Sequence, residues 1–111
     1  MTKNYMKQFS DFDNADVFET ILEGLKPHGF DDGSWRNDSC PSVGREIKDG
    51  DYISVFVDYK NPDLAEFPED RKSGQMKVIT IYSQVDDTTF QTDDTAEAVS
   101  KAIEIFTSQS A

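Results

Sequence analysis

Cysteine and histidine occur once each in this chain, as Cys40 and His28. A lone cysteine excludes an intrachain disulfide. One cysteine and one histidine leave a structural zinc site two ligands short unless carboxylates complete it, and no clustered ligand spacing is present. Basic residues are also scarce: 11 Lys and Arg stand against 22 Asp and Glu, a formal charge of −11. This balance disfavours direct, unassisted binding to nucleic acid or to an anionic membrane, both of which carry the same sign. Lys3, Lys7, Lys48, Lys60, Lys72 and Lys77 form no basic stripe with interleaved aromatics. No segment approaches the roughly 20 apolar residues that span a bilayer. The stretch MTKNYMKQFSDFD lacks the apolar core of a secretion signal, so a cytoplasmic location is expected. The glycosylation pattern Asn37-Asp38-Ser39 then has no secretory context.

Motifs of the common chemistries are missing as well. There is no G-x-G-x-x-G, no phosphate-binding loop, no serine-centred elbow and no C-x-x-C. A calcium loop counted from Asp11 has Asp13 in place. It then meets Ala15, Asp16 and Leu22 where an oxygen ligand, a glycine and a glutamate are needed. Among 22 acids some pair meets almost any separation, so glycosidase-like carboxylate pairing carries no specificity. Cys40 would need a base and a depressed pKa to act as a nucleophile, and the surrounding acids push the other way. The expectation is a non-enzymatic chain with no catalytic residue, no metal and no cofactor.

What the chain does contain suffices for one core. Its 111 residues are 36% hydrophobic, which suits a single acidic domain over residues 1–111. Ala15 to Lys26 has helical period, with Val17, Phe18, Ile21, Leu22 and Leu25 on one face. Asn14 or Asp13 is placed to cap it, Phe9 and Phe12 to cover its base, and Pro27 with Gly29 to stop it. Lys48-Asp49-Gly50-Asp51 is a turn between strands over about 43–47 and 52–59. In the second of these, Ile53, Val55, Val57 and Tyr59 share the face chosen for the core, while Phe56 implies that the opposite face is partly covered. QMKVITIYS reads as an inner strand, Asp86-Asp87 as a turn, and Thr88 to Gln91 as a short last strand. Between the strands, residues 60–74 predict either a short helical turn with Leu64 and Phe67 packed down or a flexible functional loop. The tail predicts a helix with Asp94 and Glu97 as a capping box and Ala96, Val99, Ile103 and Phe106 buried. The sum is an α+β fold: an antiparallel meander of three to four strands, flanked in sequence by an N-terminal and a C-terminal helix in two layers.

Two features remain for function. GSWRNDSCPS, Gly33 to Ser42, holds the only tryptophan and the only cysteine, and reads chiefly as a loop anchored by Trp35 and Cys40, with a short strand near Trp35. Trp35 beside Arg36 also has the composition of a contact hot spot. The acids, fifteen of them Asp, come in groups at the expected turns. If Asp31, Asp32, Asp49, Asp51, Asp86 and Asp87 converge, they form a negative face for the basic surface or channel of another protein, their carboxylates standing in for phosphates. Such a face suits an acidic nucleic-acid-mimicking inhibitor of a DNA- or RNA-handling or host-defence protein, of the anti-restriction or anti-CRISPR type. That parallel rests on size and charge, with no motif behind it. The alternative is a structural or accessory domain whose acids mainly give solubility, and which pairs with a second copy through a sheet edge or the Trp35 loop.

Overall fold

The computed structural model describes residues 3–109. Its centre is an antiparallel sheet of β1 (Asp31–Asp32), β2 (Ser42–Lys48), β3 (Asp51–Val57), β4 (Ile79–Ser83) and β5 (Thr89–Thr92), ordered as in the chain. Helices α1 (Asn4–Gln8) and α2 (Ala15–Leu25) precede it in the chain, α3 (Pro68–Ser73) interrupts the β3–β4 connection, and α4 (Thr95–Gln109) follows it. The α+β meander flanked by helices is therefore the observed architecture. It has one more strand than the pattern predicts, because Asp31 and Asp32 pair with Gly44 and Val43 in a stretch too short and polar to show period. The strand expected near Trp35 lies at these residues instead.

Asp49 and Gly50 both have positive φ, 51° and 88°, which fits the strand twist across a tight two-residue turn. The resulting register aligns Val43, Val55, Ile81 and Phe90 in one row across the sheet. Val57, Ile79 and Thr92 make the next row, and Val43, Ile53, Val55, Val57, Ile79 and Ile81 are wholly buried. This is the predicted core face of β3. Both long helices cover it, α2 through Phe18, Ile21 and Leu25 and α4 through Ala98, Ala102 and Ile105. The predicted α4 stripe is corrected: Val99, Ile103 and Phe106 are half-buried and Ala96 is exposed. Small alanines face the sheet, and the bulkier side chains lie at the flanks of the contact. Gly24, which costs α2 helix propensity, has a packing reason. A Cβ there would lie 3.0 Å from Val99 Cγ1, so the two helices close at this point.

Aromatic rings seal the base of α2. Tyr5 lies 4.3 Å from Phe18 between ring centroids, and Phe12 lies 5.4 Å from Tyr59, while Phe9 and Phe12 are both buried as anticipated. Asn14 does not cap the helix. Its Nδ2 donates to the Asp58 carbonyl at 3.2 Å, and its buried Oδ1 has no partner. At α4, Asp94 Oδ1 accepts from the Glu97 N–H at 3.1 Å, which is half of the predicted box. The other half is replaced: Glu97 takes the Thr92 hydroxyl, and that hydroxyl oxygen accepts the Asp94 N–H at 3.0 Å.

Arg45 is the one charged member of the β2 core face. Its guanidinium lies 4.4 Å from the centroid of the Phe106 ring and donates to the His28 carbonyl. Gly29 follows with φ 85°, and a Cβ there would collide with that guanidinium. Gly74, with φ 84°, faces open space. Left-handed backbone costs an L residue about 1–2 kcal/mol. Gly74→Ala should therefore lower stability by about that amount, and Gly29→Ala by somewhat more, because the Arg45 guanidinium must also move off Phe106 and the His28 carbonyl. Urea denaturation of both variants measures the difference; equal losses would contradict the role given to Arg45.

Candidate functional site

A meander alternates its connections between two ends. The β2–β3 and β4–β5 turns stand at one, here the hairpin end. The β1–β2 and β3–β4 connections, with the chain leaving β5, stand at the other, the loop end. Asp49, Asp51, Asp86 and Asp87 are thereby brought to the hairpin end. Asp86 Oδ1 accepts from the Thr88 N–H and hydroxyl, at 3.0 and 2.6 Å, and the hydroxyl bond first holds its carboxyl below the usual range. Asp87 accepts the Tyr82 hydroxyl at 2.6 Å, the leading reason that phenol is raised. Asp49 and Asp51 make no side-chain hydrogen bond or ion pair among the described residues.

Asp31 and Asp32 do not join them. They lie on edge strand β1, where Asp31 accepts from the Asp32 N–H at 2.9 Å. Asp32 accepts from the N–H groups of Tyr5 at 2.9 Å and Ser34 at 3.0 Å, tying α1 to the sheet. Trp35 is 57% exposed, so its predicted anchoring role is overturned. Arg36 is also exposed, fixed only through its backbone N–H to Gln8 Oε1 at 3.1 Å. The anchors of the segment are Ser34, whose Oγ accepts the Ser42 N–H at 3.0 Å, and the buried Cys40 and Pro41. Tight turns and polar clusters need no large side chain to hold them, which leaves the tryptophan free for solvent or a partner.

The loop end holds a cavity that the sequence did not indicate as a site. Arg71, on α3, has a side chain only 6% exposed. Its Nη1 donates to Asp58 Oδ2 at 2.7 Å and to the Tyr59 carbonyl at 2.8 Å, and its Nη2 to the Lys60 carbonyl at 3.4 Å. Asp13 accepts from the N–H groups of Lys60 and Asn61 at 2.6 and 2.9 Å, and Asp11 from the Tyr59 hydroxyl at 2.8 Å. The long connection is thus pinned, with a 3₁₀ turn at Pro62–Leu64 and then α3. Of the two readings of this segment, the helical turn is present, but Leu64 and Phe67 do not pack down with it: they are 45% and 51% exposed, and Ala65 is buried in their place.

Between this connection and the uncovered face of the sheet is a cavity of about 300 Å³. Phe56, Val78 and Thr80 line it from the sheet side, Phe67, Met76 and Lys77 from the connection, and Asp38, Ser39 and Cys40 from the β1–β2 loop; Asp58 and Glu66 complete it. Burial raises the Asp38 carboxyl. Glu69 and Asp70 lie in a shallower hollow that shares Glu66 and Phe67 with this cavity. The apolar face noted at Phe56 was the available signal.

Cys40 lines this cavity as an inert group. Burial, then the field of Asp58, pushes its thiol up to about 12. His28 closes the turn after α2 at the hairpin end, so no base of that kind is paired with it. Among the described residues no group of three or more His, Cys, Asp and Glu is placed to hold a metal, and no helix is long and apolar enough to cross a membrane. Comparison with protein-family models, with curated proteins and with solved structures finds no match to this chain.

Two outcomes follow from this geometry. Arg71→Met leaves Asp58 withdrawn from water without its cation, and should destabilise the fold by about 3–5 kcal/mol. Hydrogen exchange should show residues 60–76 losing protection first; unchanged protection there would contradict the pinning. Cys40 should resist iodoacetamide at pH 8 until the chain is unfolded. Because its folded pKa is raised, the stability linked to its proton is complete below the unfolded value of about 8.5. It is lost as pH climbs toward 12. Urea midpoints measured over that window should fall less steeply for Cys40→Ala than for the unaltered chain.

Proposed function

We propose that this chain is a non-enzymatic structural or accessory domain, working in the cytoplasm by contact with another protein, whose acids chiefly serve its own turns, helix ends and surface charge. The observation that carries this reading is how the carboxylates are used. Asp13, Asp32, Asp58, Asp86, Asp93 and Asp94 each accept from a backbone N–H. Asp16, Glu19 and Asp63 pair with lysines. Groups used in this way are accounted for by folding and solubility. Of the large apolar side chains left exposed, Trp35, Leu64 and Phe67 stand on loop-end connections, Met6 on α1 and Tyr52 on β3, and the three at the loop end favour a contact role there.

The second reading, an acidic mimic of nucleic acid of the anti-restriction or anti-CRISPR type, is favoured by one observation. The hairpin end gathers Asp49, Asp51, Asp86 and Asp87, of which Asp49 and Asp51 are unengaged.

The two separate in one experiment. The chain and its Asp49→Asn/Asp51→Asn/Asp87→Asn variant are used as baits in lysate, at low salt and at about 1 M, where the screening length is about 3 Å. The accessory role predicts the same partner on both baits and its retention at high salt. Capture of a nucleic-acid-handling protein that is lost on neutralisation and on adding salt would overturn it in favour of mimicry. Sedimentation equilibrium of the purified chain measures self-pairing, the one partner a lysate does not report.

A further inference from the structure

The carboxylates at the loop end are not equivalent. Asp58 is answered by Arg71 at 2.7 Å. Asp38 and Glu66 line the same cavity without a side-chain hydrogen bond or ion pair among the described residues. The cation on the wall, Lys77, is offset by Asp93 at 4.0 Å. The cavity therefore carries unanswered negative charge over an apolar lining that includes Phe56, Phe67 and Met76. Phe67 is half in water although the connection that bears it is tied down before it by Asp13 at the Lys60 and Asn61 N–H groups and after it by Arg71 at Asp58 and the Tyr59 carbonyl. An exposed ring on a pinned support is arranged for contact rather than for packing within the chain.

We infer that this cavity is a seat for an arginine side chain presented by a partner protein. The inference deepens the accessory reading above and rests on it. An anion is opposed by Asp38 and by the exposed Glu66, and a purely apolar side chain would cover the half-buried Asp38 further without giving it a partner. A cation with an apolar stem meets both requirements. Arginine is favoured over lysine because a guanidinium is weakly hydrated, stacks on aromatic faces and forks onto carboxylates, while an ammonium holds its water more tightly. The molecule already uses this chemistry at its other end, where Arg45 lies over Phe106.

The test is an amide NMR titration of the full chain with acetyl-Gly-Arg-Gly-amide, and with the same peptide carrying lysine or the neutral isostere citrulline. Saturable shifts are expected at Asp38, Cys40, Phe56, Phe67 and Lys77, with lysine about threefold weaker and citrulline about tenfold weaker than arginine. Phe67→Ala and Asp38→Asn/Glu66→Gln should each weaken arginine binding about threefold or more, and Asp49→Asn at the hairpin end should not. Phe67 is half exposed, so its truncation leaves the core intact, and the unshifted amides of each variant report that directly. Equal binding of citrulline, shifts centred on Asp49 to Asp51 and Asp86 to Asp87, or no saturable shift at all would overturn the assignment. A silent cavity in a chain that still captures a salt-resistant partner removes the arginine seat and leaves the accessory role standing. A responding cavity with no such partner does the reverse.

Discussion

A guanidinium withdrawn from water must be met by fixed charges and dipoles, or the segment carrying it does not stay in place. Arg71 meets that condition through one carboxylate and two backbone carbonyls, all contributed by the residues that leave β3. A connection of some twenty residues is thereby closed onto the strand it came from, and the N-terminal segment locks it further through Asp11 and Asp13. The cavity owes its walls to this closure. Without it, the uncovered face of the sheet would be an open surface bearing Phe56, and Cys40 would lose part of its shelter.

The second constraint is that two helices serve one sheet. They cover the face built from Val43, Ile53, Val55, Val57, Ile79 and Ile81, and among the described residues no helix covers the other face along its length. That face carries Ser42, Phe56, Thr80 and Gln91 in one row and Gly44, Ser54, Tyr82 and Thr89 in the next. Polar side chains let it meet water, as antiparallel sheets commonly do. Where the row turns apolar, at Phe56, the chain supplies its own partial roof.

The elements with strong period were legible in the sequence. The α2 stripe, the Asp49-Gly50 turn and the core face of β3 each follow from spacing alone, since one register satisfies both burial and turn geometry. The α4 stripe was displaced because alanine has little hydrophobic weight, although here it lies nearest the sheet. β1 escaped notice because two aspartates have no period to read. The rule that large apolar side chains seek the core favours anchoring by Trp35 and packing by Leu64 and Phe67 over their contact or loop alternatives, yet all three stand in water on loops fixed by smaller groups. The candidate site was hardly legible at all. Its walls come from segments spread between residues 38 and 80, and only folding shows that Asp38 and Glu66 share a cavity. Of the acids expected to converge, those of the β2–β3 and β4–β5 turns lie at one end of the sheet, because a meander puts alternate connections there, while Asp31 and Asp32 are used elsewhere.

That same alternation divides the molecule into a conservative pole and a permissive one. At the hairpin pole, short turns set the strand register, and an added residue there would shift side chains from one face to the other. At the opposite pole the two strand-to-strand connections are longer and closure entropy grows only slowly with length, so outside the residues that Arg71 ties down sequence can be gained or exchanged there with little disturbance to the sheet. Descendants of this chain could change what they touch by rebuilding one end, while the frame that folds them stays the same.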